Sequence, residues 1–462
     1  MRSLRTMALA CARIASGSVG TRLSLARFAG SVLALSLLPA SLAHADDVTA
    51  SLNAGDTAWI LVATALVLFM TLPGLSLFYG GLVRSKNVLS VFIQCLAIAG
   101  VISLIWVAFG YSLAFTQGGG EGSSQQAFIG GTSKLFLKGV TPDSLSGTIP
   151  EALFVAFQMT FAIITPALIV GAFAERMRFS GMLIFSVIWF IFSYLPICHM
   201  AWAGEGALFH TWGVIDFAGG TVVHVNAGIA GLITCLMVGA RRGFPRQPMR
   251  PHSLPLAVMG TGMLWVGWFG FNAGSALAAN GQAAMALLVT HLSAAAAATT
   301  WMLIELFSHR KASALGVATG AVAGLVAITP ASGNAGPLGA IGLGAVSALI
   351  CYWSATSLKH RFQYDDSLDV FGVHGVGGIV GAVLTGVVAA PALGGSGLNH
   401  DTMLSQVWWQ TASVLVTAGW SAVVSVIAFA IAKRLAGMRV SPEVEQIGLD
   451  LSEHQEQAYE IY

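Results

Sequence analysis

The 462-residue sequence predicts an all-α polytopic membrane protein of eleven transmembrane helices, on three observations. Hydrophobic residues make up 56% of it and charged residues only 9%, well under the roughly 25% charged usual in soluble domains. Its apolar residues form runs of about 20, the length that crosses a bilayer as a helix. Its glycines number 54, and small residues let membrane helices approach closely. The net charge of +2 is spread through loops rather than clustered, which argues against nucleic acid as a partner.

The first segment is a leader. Arg2, Arg5, Arg13, Arg22 and Arg27 precede the apolar run SVLALSLLPASLAHA, which ends in Ala43, His44 and Ala45. This pattern predicts a signal peptide over residues 1–45, cleaved after Ala45; the competing reading is an uncleaved first helix, for which the run is short. Cleavage places the mature N-terminus outside. Cys11 belongs to the leader, and Cys95, Cys198, Cys235 and Cys351 lie singly in apolar segments without the spacing of a metal site.

Eleven spans follow, starting near Trp59, Leu89, Ala152, Met182, Thr221, Leu256, Ala283, Ala314, Leu338, Val370 and Trp408. Every loop after an odd-numbered span is basic, from Arg84 and Lys86 through Arg241, Arg242, Arg246 and Arg250 to Lys433, Arg434 and Arg439. Only Lys134 and Lys138 lie on the other side. The positive-inside rule then sets the N-terminus outside and the C-terminus in the cytoplasm. The expected organisation is a leader, an eleven-span domain over 46–439 and a cytoplasmic tail over 440–462.

Two histidines stand in glycine-rich apolar runs. His224 opens HVNAGIAGL in span five and His374 opens HGVGGIVGA in span ten, so that Gly228, Ile229 and Gly231 match Gly378, Ile379 and Gly381. Two five-span halves, each with an odd number of spans, must be inverted relative to one another. Sites in such folds lie between the halves near the midplane. A neutral imidazole has one donor and one acceptor, so a pair bonds to itself and still presents a nitrogen to a small polar solute. A metal site needs further ligands, and neither segment supplies them. Asp216 and Asp369, eight and five residues upstream, suit helix capping or loop bracing.

Aromatic residues form a second group: Phe157 and Phe161, Trp202, then Trp265, Trp268, Phe269 and Phe271. They read either as packing and interfacial belt or as a cation-π site with the Ser275 hydroxyl beside it.

The stretches TLPGLSLFYGGLVRSKNVLS, VGAFAERMRFS, DFAGGTVVHVNAG, GWFGFNAGSA and DVFGVHGVGGIVG resemble the signature segments of the ammonium transporter (Amt/MEP/Rh) family, bacterial AmtB-like branch. The resemblance implies two inverted halves around a narrow pore, a homotrimer in the bacterial inner membrane, and no cofactor. It implies ammonium or ammonia as substrate, with methylammonium as an analogue. It places an external recruitment site on Phe161, Trp202 and Ser275, a phenyl gate on Phe161 and Phe271, and twin pore histidines on His224 and His374. Asp216 matches a structural aspartate, Trp268 a pore-lining tryptophan and Thr329 a threonine near the pore. The tail pieces GLD and EHQEQAY are similar to an ordered regulatory tail that meets the PII signalling protein, against a disordered acidic end read from composition. Glu205 and His210 depart from the pattern in the outer loop. The expected function is electrogenic ammonium uptake; the alternatives are a passive Rh-like channel for ammonia or carbon dioxide and an ammonium sensor. An enzyme is disfavoured, since no nucleophile-base set or metal-ligand group is found.

Overall fold

The computed structural model describes residues 51–119 and 123–459. The expected leader lies outside them. Among the described residues, eleven helices are long and apolar enough to cross a bilayer: Ala54–Leu82, Ser85–Phe115, Glu151–Phe173, Phe179–Trp202, Gly220–Val238, Leu254–Gly274, Gly281–His309, Ala314–Ala331, Pro337–Phe362, Val370–Val388 and Met403–Ala436. Hydrocarbon offers the backbone no hydrogen bonds, so apolar runs of this length close into helices that satisfy their own. The observed starts differ most from those expected in spans one and eleven. There Asn53 and Thr402 cap the helix, accepting from the Asp56 and Ser405 amides at 3.0 and 3.1 Å. Polar caps lie upstream of the apolar window and hide the true start.

The eleven spans form two inverted halves of five with span eleven added. Span three is the innermost: 89% of its apolar window is buried, against 39% in spans seven and eleven. Phe157 and Phe161 are thereby inside the bundle. Spans five and ten open with the same device, a π-helical turn over Gly220–Val225 and over Val370–Gly375. Such turns occur mostly as single insertions and often at functional sites. Each contains its histidine, and the two histidines are 150 residues apart. Where the spans cross, Gly228 lies against the backbone just after His374, and Gly378 against the His224 Cβ.

The two aspartates take the two roles separately. Asp216 does cap span five, but Asp369 makes no cap bond; its residue is left-handed at φ 58° and its carboxylate accepts from Lys359 Nζ at 2.8 Å. It braces the loop. The cap of span ten comes from Asp366, which accepts from the Phe371 amide at 2.7 Å, as Asp216 accepts from the Thr221 amide at 2.8 Å. Asp216 and Asp366 keep the 150-residue offset of the histidines; Asp369 does not. Burial raises the carboxyl of Asp366 to about 6.

The tail is helical in its described part. Helices Pro442–Ile447 and Leu449–His454 follow span eleven. The Asp450 carboxylate accepts from the Leu89 and Ser90 amides at 3.1 and 2.7 Å, closing the N-terminus of span two. Glu445 accepts from the Arg242 amide at 2.6 Å and from Arg439 at 3.0 Å. Asp450→Ala is expected to lose about 1 kcal/mol of stability, the usual worth of a cap, seen as a lower melting temperature in detergent. An unchanged melting curve would count against the tail as a brace.

Candidate functional site

The site is a file of rings between two cavities on opposite faces. On the face away from the tail, a cavity of about 160 Å³ is lined by Phe115, Phe154, Gln158, Phe161, Trp202, Phe217, Ser275 and Leu277. Three of these are residues expected from the sequence. Trp202 meets Phe161 edge-on, with ring centroids 5.7 Å apart, and its indole N–H donates to the Asp216 carbonyl at 2.8 Å. That bond fixes the indole as a wall of the cavity. The Ser275 hydroxyl donates to the Phe271 carbonyl at 2.8 Å, so its oxygen lone pairs stay free.

Beneath the cavity, the Phe161 and Phe271 rings pack with centroids 4.3 Å apart and their planes tilted by 36°. Past them come the histidines. His224 stacks against Trp268 at 5.3 Å and against Phe271 at 6.1 Å. His224 Nδ1 and His374 Nδ1 are 3.4 Å apart, with the rings within 19° of parallel. One imidazole therefore donates to the other through Nδ1, and the Nε2 atoms remain for something else. His224 Nε2 is buried without a partner. His374 borders a second cavity, of about 300 Å³, on the tail side, with Lys359 and Asp369 at its rim.

The aromatic group of span six divides. Trp268 and Phe271 face the histidines, whereas Trp265 and Phe269 turn to His291 of span seven. Phe157 stands behind Phe161 at 5.1 Å and lines neither cavity. Glu205 and His210 are exposed and outside the cavity lining. Thr329 holds Trp268 in place: its hydroxyl accepts the indole N–H at 2.8 Å and donates to the Leu325 carbonyl at 2.7 Å. Thr329→Val keeps the volume and strands the indole N–H. We expect a loss of about 1–3 kcal/mol and slower uptake, read from thermal melting and initial rates.

Gln158 was missed in the sequence. It is buried, it lines the aromatic cavity, and its amide oxygen has no partner. The signal was present, because a lone amide in AFQMTF is as anomalous at membrane depth as the histidines are. Among the described residues, Cys95, Cys198, Cys235 and Cys351 are free and buried singly. Among the described residues no His, Cys, Asp and Glu group could hold a metal.

Eleven spans, cavities on both faces and a file of rings joining them define a multi-pass membrane transport protein. The chain belongs to the Ammonium Transporter Family, whose model matches residues 58–459. It is 45% identical to an ammonium transporter of Aquifex aeolicus over 91% of this chain and 96% of that one. Its fold is similar to the crystal structure of Candida albicans Mep2, with a TM-score of 0.77 and 36% identity over 85% of this chain and 88% of the other. A solved structure described as a sensor Amt protein also matches, with a TM-score of 0.77 and 28% identity over 87% and 98% of the two chains.

Proposed function

We propose that the chain takes up ammonium by binding the cation in the aromatic cavity, removing its proton, and passing ammonia and proton separately along the His224–His374 pair. The observation that carries this is the pair itself: two buried imidazoles bonded through Nδ1 at 3.4 Å in an aromatic-walled passage.

An isolated cation entering such a passage would face a desolvation cost of tens of kcal/mol, so a cation able to neutralise does so. Ammonium can lose a proton; potassium cannot. The aromatic cavity favours either cation by only about 0.5–2 kcal/mol. The free lone pairs of Ser275 and the unpartnered Gln158 oxygen add acceptors for the N–H groups of ammonium. Selection thus rests mainly on deprotonation, with the Phe161–Phe271 pair closing the passage to a hydrated ion.

A proton arriving at His224 Nε2 is matched by transfer of the Nδ1 proton to His374 Nδ1, and His374 releases its Nε2 proton toward the tail-side cavity. Ammonia, crossing beside the rings, takes up a proton there. The sum is one ammonium moved.

The decisive experiment is ammonium-evoked current in proteoliposomes. The native protein is expected to give current, and His374→Ala none. Ammonia flux without native current would favour the passive channel, and no flux at all the sensor reading, to which the sensor Amt likeness lends support.

The same reading includes a cleaved leader, N-terminus out and C-terminus in, and residence in a bacterial inner membrane. It includes a homotrimer, with the exposed Leu338, Ile341 and Leu349 of span nine covered by lipid or a neighbouring subunit. The ordered tail is its docking face for a PII-type protein, supported by the Asp450 and Glu445 contacts.

A further inference from the structure

Span eleven belongs to neither half and lines neither cavity, yet it buries two glutamines completely, Gln406 and Gln410. Buried amides are unfavourable at membrane depth unless their hydrogen bonds are made. Gln410 makes all four. Its oxygen accepts from the Ile215 amide at 2.7 Å and from Gln406 Nε2 at 3.3 Å. Its nitrogen donates to the Ile215 carbonyl at 2.8 Å and to the Ala382 carbonyl of span ten at 2.9 Å. The flipped amide would set its oxygen against two carbonyls, so these partners fix its orientation.

Both polar atoms of Ile215 are thereby engaged by one side chain, which stops the peptide before Asp216 from turning. Asp216 then works in two directions. Its carbonyl takes the Trp202 indole N–H, and its carboxylate takes the first amides of span five. Gln406 secures the same loop one step earlier, donating to the Gly213 carbonyl at 2.9 Å.

We propose that Gln410 is a positioning residue that registers the Ile215–Asp216 turn against span ten and, through Asp216, sets the Trp202 wall of the aromatic cavity. The proposal rests on that cavity being where ammonium binds. Span eleven then has a role: it is the clamp that keeps the recruitment wall in line with the span carrying His374.

The test is a double-mutant cycle on methylammonium uptake in proteoliposomes, with Trp202→Leu, Gln410→Glu and the pair. Gln410→Glu keeps volume and the acceptor for Ile215 but cannot donate to both carbonyls. Small misplacements in a binding site lower efficiency by up to about a hundredfold, so the half-saturation concentration is expected to rise on the order of tenfold with the maximal rate changed less. In the Trp202→Leu background the same substitution is expected to add little, because residues joined by one hydrogen-bond network couple. Thr417→Val, lower on the same helix, serves as the control with native uptake. A native half-saturation in Trp202→Leu would defeat the recruitment reading. A raised value in Trp202→Leu with a native one in Gln410→Glu would defeat this inference alone, as would an equal rise in both backgrounds or a fall in maximal rate only. Should Gln410→Glu not assemble, Gln406→Ala decides: it removes the bonds to the Gly213 carbonyl and the Asn399 amide and one of the four to Gln410. It should raise half-saturation about two- to threefold, and no change overturns the proposal.

Discussion

Gly228→Ala is expected to abolish ammonium uptake in a protein that still reaches the membrane. The methyl group would sit 2.2 Å from both N and Cα of Gly375, and 3.1 Å from the carbonyl carbon of His374. Those atoms are backbone and have no rotamer to escape into. Ordinary carbon contact is about 3.5–4.0 Å, so spans five and ten would have to part by more than 1 Å at the place where they cross. Overpacking of this kind costs about 1–3 kcal/mol, which a bundle of eleven spans can absorb. The histidine pair cannot. His224 and His374 are held at 3.4 Å by this crossing, and another ångström ends their hydrogen bond. Gly378 makes the reciprocal contact, its Cβ position lying 2.9 Å from the His224 Cβ, so Gly378→Ala should act in the same direction. The measurements are surface amount, melting temperature and uptake rate. Uptake at the native rate in Gly228→Ala would show that the crossing does not set the histidine spacing.

Those glycines also show why much of the fold was legible in the sequence. Hydrophobic length and basic loops fix spans without reference to tertiary structure, since the bilayer imposes one secondary structure on every crossing segment. The repeat was legible because His224 and His374 carry matching glycines, and one matched pair, Gly228 and Gly378, sits where each half packs against the other's histidine segment. What stayed open in the sequence is what depends on register. Asp369 lies nearer the start of span ten, but Asp366 sits at the shared offset and makes the cap. Trp265 and Phe269 were grouped with Trp268 and Phe271, yet a helix facing two neighbours sends its aromatics to both. Gln158 and Gln410 were passed over because an amide carries no charge to draw notice. Their role depends on which carbonyls and amides lie opposite, and that is tertiary information.

Asp216→Ala is the second substitution with a large expected effect, and it separates structure from chemistry at the cavity. The Asp216 carboxylate accepts from the amides of Gly219 at 3.0 Å, Gly220 at 2.5 Å, Thr221 at 2.8 Å and Val222 at 3.3 Å, and from the Thr221 hydroxyl. These are the orphan donors of the first turn of span five. Burial pushes the carboxyl above its ordinary value, and the Thr221, Gly220 and Val222 donors pull against that shift. Five donors and no counter-charge suit an ionised acceptor placed at the positive end of a helix. Alanine leaves all five unmade, at about 1–3 kcal/mol for each that water does not reach. We expect a melting temperature lowered by far more than in Thr329→Val, and loss of uptake, because the turn so released carries both the Trp202 contact and the entry into the π-helical turn of His224. Asparagine keeps one acceptor and sets an amide donor against the remaining N–H groups, so Asp216→Asn should fold and transport at an intermediate level. Were the two variants to lose uptake equally while Asp216→Asn kept the native melting temperature, the carboxylate would have to act on the cation itself, and the aromatic cavity would need a charge that the present reading does not give it.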